Sequence, residues 1–122
     1  MVNNTIKIKD DIYTLRYSIE TLCTMTEQGY DPMDYLEGNK LLNIPVVTKL
    51  FYYGLLEKHN KPKMTEKKAA QLITDYCENN GNIYEIAAFT SRVIADSLGL
   101  VVTPDAEIAE EQEDSEGKQK SL

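Results

Sequence analysis

Apolar and polar residues alternate on either side of Asp10 and Asp11 in the stretch TIKIKDDIYTLRYS, a period of two that predicts a pair of short strands joined by a tight turn. Beyond it the period lengthens. Ser18 is suited to capping a helix over Ile19 to Gln28, with Ile19, Leu22, Cys23 and Thr26 on one face and Gly29 as the stop. Asp31-Pro32-Met33-Asp34 has the order of an N-cap, a proline at the first helical position and a first-turn acid, which predicts a second, shorter helix ended by Gly38. Pro45 opens a long helix over Val46 to His59, where Val47, Leu50, Phe51, Gly54 and Leu55 form one apolar stripe. Thr65 caps the next helix, with Ala69, Leu72, Ile73, Tyr76 and Cys77 as its stripe, and Asn79-Asn80-Gly81 breaks it. Asn82 with Glu85 three residues later forms a capping box for a last helix bearing Ile83, Ile86, Ala87, Phe89, Val93, Ile94 and Leu98, ended by Gly99.

This array predicts a mainly α fold: an N-terminal β-hairpin followed by about five helices in one compact domain over residues 1–102. The long central helix has more apolar surface than one core face can use. Val46, Tyr52, Tyr53 and Leu56 fall outside its stripe, and either the domain wraps them or they meet a second chain. A glycine inside a helix costs about 1 kcal/mol relative to alanine, so Gly54 marks a place where another backbone comes close.

Length and charge narrow the class. A chain of 122 residues buries roughly two thirds of its unfolded surface, enough for a core without staples. Cys23 and Cys77, on the apolar faces of their helices, are expected to be unpaired, buried thiols of a reduced intracellular protein. The sequence contains no membrane-spanning run and no hydrophobic signal core in MVNNTIKIKDD, so a cytosolic, soluble protein is expected. The net charge is −7, and residues 103–122 hold seven acids against Lys118 and Lys120, leaving thirteen acids and eleven bases for the rest. That segment is expected to be an acidic, disordered tail or a frayed extension of the last helix. Nucleic acid is a poor ligand for such a chain, because binding rests on Lys and Arg neutralising phosphates.

Catalytic chemistry has no visible machinery. His59 is the single histidine, read as a solvated cation at a helix end, and no second histidine or Cys-x-x-Cys provides a zinc site or a nucleophile with its base. Asp31, Asp34 and Glu37 fit helix-end electrostatics better than a metal set, Asp10 and Asp11 read as turn residues, and no glycine loop for phosphate is present. No cofactor and no metal are expected. The remaining cluster is basic: Lys58, His59, Lys61, Lys63, Lys67 and Lys68 form a patch that is either a solvated surface or a site for an acidic tail or partner helix.

The order IYTLRYSIETL, then VVTKLFYYGLLEKHN, then a final helix ending in ADSLGL before a short charged tail resembles the tail assembly chaperones of long-tailed bacteriophages, in the versions found in phages and prophages of Gram-positive hosts. The similarity spans roughly residues 6–100, and KLFYYGLL is similar to the family's leucine, aromatic, glycine, leucine signature. The resemblance implies a small helical, non-enzymatic protein of the infected host's cytoplasm. Such a protein coats the tape measure protein, keeps its hydrophobic helices soluble, helps recruit tail tube subunits and is absent from the finished particle. A longer product of programmed frameshifting often accompanies the short form, which this chain would be, with Lys118 to Lys120 as the place to look for the slip. On this reading Val46, Tyr52, Tyr53 and Leu56 are the partner contacts, homo-oligomers being a further option. Two other readings remain: a head-to-tail adaptor retained in the virion, and an acidic regulator that mimics phosphate charge.

Overall fold

A computed structural model describes residues 3–36 and 43–100. The expectations placed on Glu37, on Gly38 and on the acidic segment 103–122 lie outside these residues. The chain opens with strands β1 (Thr5–Ile8) and β2 (Asp11–Thr14), paired antiparallel so that Ile6 faces Tyr13 and Lys7 faces Ile12. Lys9 and Asp10 make the turn, Lys9 with φ of 58°, while Asp11 already belongs to β2. The register decides which side chains enter the core. Ile8 is buried and Ile6 and Tyr13 pack against the core, whereas Ile12, on the opposite pleat with Lys7, is 64% exposed.

Among the described residues four α-helices follow: α1 (Ile19–Glu27), α2 (Ile44–His59), α3 (Glu66–Glu78) and α4 (Ile83–Ser97). The count is one short of about five, because the segment after Asp31 closes as a single 3-10 turn over Pro32–Tyr35. Asp31 caps that turn by accepting from the Met33 amide at 3.0 Å, and four residues of i to i+3 geometry are the usual extent of such a helix. Ser91 of α4 holds it in place, its hydroxyl shared between the carbonyl oxygens of Tyr35 at 3.0 Å and Leu36 at 3.2 Å. The helix starts expected at Ser18, Thr65 and Asn82 are present as side-chain caps on Thr21, Lys68 and Glu85, and Glu85 returns the bond to the Asn82 amide. At α2 the cap is Asn43, which accepts from the Val46 amide and places Pro45 in the first turn, where a proline lacks nothing. Gly29 and Gly99, at φ of 93° and 75°, and Asn80, at 74°, sit just past the ends of α1, α4 and α3. The amides that follow reach back to Met25, Ala95 and Tyr76, which closes each helix with a left-handed cap.

The apolar face of α1 differs from the expected one. Leu22 and Met25 are buried, while Ile19 is 64% exposed and Cys23 is exposed, so the face is turned by about one residue. Cys77 of α3 is exposed as well, and neither thiol is the buried hydrophobe anticipated. Cβ bonds tilt toward the helix N-terminus, so a side chain at the first helical position projects past the end of the helix rather than onto its neighbour. Ile19 and Ile44 both occupy that position. No helix of the described residues is long and apolar enough to cross a membrane.

The core closes around α2, which touches α1, β2, α3 and α4. The close approach expected at Gly54 is present, and the visitor is the chain's own strap Leu15–Tyr17 leaving β2. Arg16 donates its amide to the Gly54 carbonyl at 2.9 Å, and the buried Tyr17 hydroxyl donates to the Leu50 carbonyl at 2.6 Å. Burial raises the Tyr17 hydroxyl far above the ordinary tyrosine range, so it remains a donor. A Cβ on Gly54 would stand 2.5 Å from the Tyr17 oxygen and 3.0 Å from Leu15. Below the glycine, Glu57 accepts from Arg16 Nε at 3.1 Å, the Ser18 amide at 2.9 Å and the Thr21 hydroxyl at 2.7 Å, which joins α2 to the first turn of α1. Burial pushes this carboxyl up, but the Ser18 and Thr21 donors and the Arg16 charge outweigh it and hold it below its ordinary value.

Two outcomes follow for stability, both read by urea unfolding. Gly54→Ala displaces a ring that has no free space and is expected to cost about 1–3 kcal/mol, even though alanine gains about 1 kcal/mol in helix propensity. Glu57→Ala leaves the α1 entrance without its acceptor, at an expected cost of about 1–2 kcal/mol.

Candidate partner-binding surface

The surplus face of α2 is occupied from within. Tyr53 is only 8% exposed and belongs to the core, while Val46, Tyr52 and Leu56 are partly buried against it. Tyr53 is therefore corrected from a surface contact to a core residue, and the other three keep partial exposure. The physical cause is an aromatic cluster assembled from separate elements. Gly29 turns the chain at the end of α1 so that Tyr30 comes over α2, its ring 6.4 Å from that of Tyr53, which in turn lies 5.4 Å from Tyr52. The ring planes are tilted by 56° and 51°, and both centroid separations fall within the range in which aromatic pairs attract. Lys49 closes the cluster, with its ammonium 5.7 Å from the Tyr30 ring centre and 6.0 Å from that of Tyr53. Its charge is met by Glu66 at the start of α3, and this bond raises the lysine above its ordinary range.

Lys58, Lys61, Lys63, Lys67 and Lys68 are all exposed, and none forms an ion pair among the described residues. His59 departs from this group. Its Nε2 accepts the Thr14 amide at 2.8 Å and its ring lies 5.2 Å from that of Tyr13, so it is a neutral imidazole pinned to the hairpin rather than a solvated cation. Burial, and then the neighbouring Lys58, lower it below the ordinary value of 6.5.

The apolar side chains that reach the surface are different from those singled out by pattern. Ile12, Ile19, Met33, Ile44, Tyr84 and Leu100 are the large exposed ones among the described residues. Ile19 stands at the rim of a shallow cleft of about 360 Å3, whose walls include Leu15 of the strap and Val93 and Asp96 of α4. The signal that could have found Ile19 and Ile44 was their place directly after a capping residue, where a helix cannot cover them. A second cleft, between the hairpin turn and the end of α3, is lined by Lys7, Lys9, Asp10, Tyr76 and Asn79. Among the described residues no group of three or more His, Cys, Asp or Glu side chains is placed to hold a metal ion. Asp31, one of the three acids considered for such a set, is committed to capping the 3-10 turn.

No family model, no curated protein and no solved structure matches the chain.

The hairpin contact makes stability depend on pH in a defined direction. The native state resists a proton that the unfolded chain accepts below about 6.5, so the stabilisation is complete above that value and is lost as pH falls through the lower native value. A melting temperature followed from about pH 7.5 to about pH 5.5 should fall, and His59→Gln, which still offers Thr14 an acceptor but does not titrate, should flatten that slope. The Glu57 contribution is lost only below its ordinary value of 4.5, in a separate window.

Proposed function

We propose that this chain is the short form of a tail assembly chaperone of a long-tailed phage or prophage of a Gram-positive host. It works in the cytoplasm of the infected cell, binds the tape measure protein and keeps that protein's hydrophobic helices soluble. It also helps recruit tail tube subunits and leaves before the particle is complete. The reading is non-enzymatic and needs no cofactor. The observation that carries it is the resemblance over residues 6–100, centred on KLFYYGLL, the segment Lys49–Leu56 of α2.

The structure adds support of a physical kind. A domain with a closed core still presents Ile19 beside the cleft at α4 and Ile44 at the entry of α2, alongside the half-buried Val46, Tyr52 and Leu56. An apolar helix of a client gains by covering such residues, since each buried aliphatic side chain contributes roughly 1.5–3 kcal/mol. The glycine of KLFYYGLL has an internal explanation in the strap, so within this segment the proposed client contacts are Tyr52 and Leu56.

Co-expression with the tape measure protein tests the reading, using Ile19→Ser with Ile44→Ser as one variant and Tyr52→Ser with Leu56→Ser as another. The first pair is exposed and should change stability by no more than about 0.5 kcal/mol, so melting can be matched to the parent. Loss of co-purification by at least about tenfold, equivalent to about 1.4 kcal/mol, is expected in at least one pair that remains folded. Failure of the parent chain to form any complex with the tape measure protein would overturn the function. Detection of the chain by mass spectrometry in purified virions would favour the adaptor instead.

A further inference from the structure

Lys58 to Lys68 is the most unbalanced stretch of the described chain. It holds five lysines and one acid, Glu66, and that acid is drawn to Lys49. Three other bases are neutralised inside the domain, Lys9 by Asp75, Arg16 by Glu57 and Lys49 by Glu66, whereas these five have no such partner among the described residues. Two of them are also at the wrong end of a helix. Lys67 and Lys68 lie in the first turn of α3, where the positive pole of the helix dipole adds to their charge, and Lys61 and Lys63 are in the loop leading into it. The surface at the start of α3 is thus positive from two sources, and its one acid, Glu66, is paired with Lys49.

We propose that this surface is the docking site of the chain's own acidic segment, Asp105 to Glu116. The charges are complementary: Asp105 to Glu116 holds seven acids and no base, to set against the five lysines. Reach is no obstacle. Sixteen residues separate Leu100, where the described structure ends, from Glu116, a span of at most about 55 Å, while a domain of about 100 residues has a radius of gyration of only about 13 Å. A tethered segment is also present at an effective concentration of about a millimolar, which favours it over a free acidic partner. The contact is electrostatic and non-specific in register, so it holds at low salt and yields to screening. It stands apart from the chaperone reading and survives if that reading fails.

Amide NMR of the full chain tests the proposal, comparing the parent with a variant neutralised at Glu110→Gln, Glu111→Gln, Glu113→Gln and Asp114→Asn. Neutralisation should move the amide resonances of residues 58–68 and leave those of the hairpin and α1 in place. Raising salt from about 0.1 M to about 1 M, which shortens the screening length from about 10 Å to about 3 Å, should move the same resonances in the parent and not in the variant. Both responses should persist on tenfold dilution. Identical low-salt spectra over residues 58–68 in parent and variant would overturn the proposal. A difference that disappears on dilution would also overturn it, by assigning the surface to the acidic segment of a second copy.

Discussion

A helix that is apolar around most of its circumference cannot remain at a surface, and α2 imposes that constraint on everything else in the domain. Val47, Leu50, Phe51, Gly54 and Leu55 would satisfy any one neighbour, but Tyr53 extends the buried surface to a further side. The hairpin, α1, α3 and α4 are arranged as the walls this requires. Their attachments are polar as well as apolar. Glu57, His59 and the carbonyl groups of Leu50 and Gly54 each bond to a residue between Thr14 and Thr21, so a short early segment of the chain is fixed along much of the helix. Burial supplies the driving force, and these bonds set the position in which it is realised.

Local chemistry was legible in the sequence to the extent that it is local. Ser18, Thr65 and Asn82 cap their helices, and Gly29, Asn80 and Gly99 end them, because each signal lies within a few residues of what it controls. The wide apolar arc of α4 is equally plain, extending even to the buried Thr90, whose hydroxyl bonds to the Ile86 carbonyl. The misreadings have physical reasons. Helical spacing assigns Ile19 and Cys23 to the core of α1, but spacing gives a face only up to a rotation, and Leu22 with Met25 defines the real one. The short helix after Asp31 has caps like the others, yet it closes in four residues as a 3-10 turn.

The surface readings depended on contacts that no periodicity records. Nothing in VVTKLFYYGLLEKH separates Tyr52 from Tyr53, since the difference is made by Tyr30, which arrives from the end of another helix. His59 looked like a cation among lysines because Thr14 lies forty-five positions away in the chain. The lysines are exposed, as both readings of the basic patch require, because a run of like charge needs no distant partner to keep it at the surface.

The contact between Tyr17 and Gly54 has a consequence for ancestry. A side chain at 54 and a ring at 17 compete for one volume, so drift at either position is free only when the other changes with it. Descendants of a common ancestor should therefore keep the small residue and the aromatic as a pair or lose them together. Such paired inheritance, thirty-seven positions apart, would be visible in lineages too diverged for their remaining residues to align.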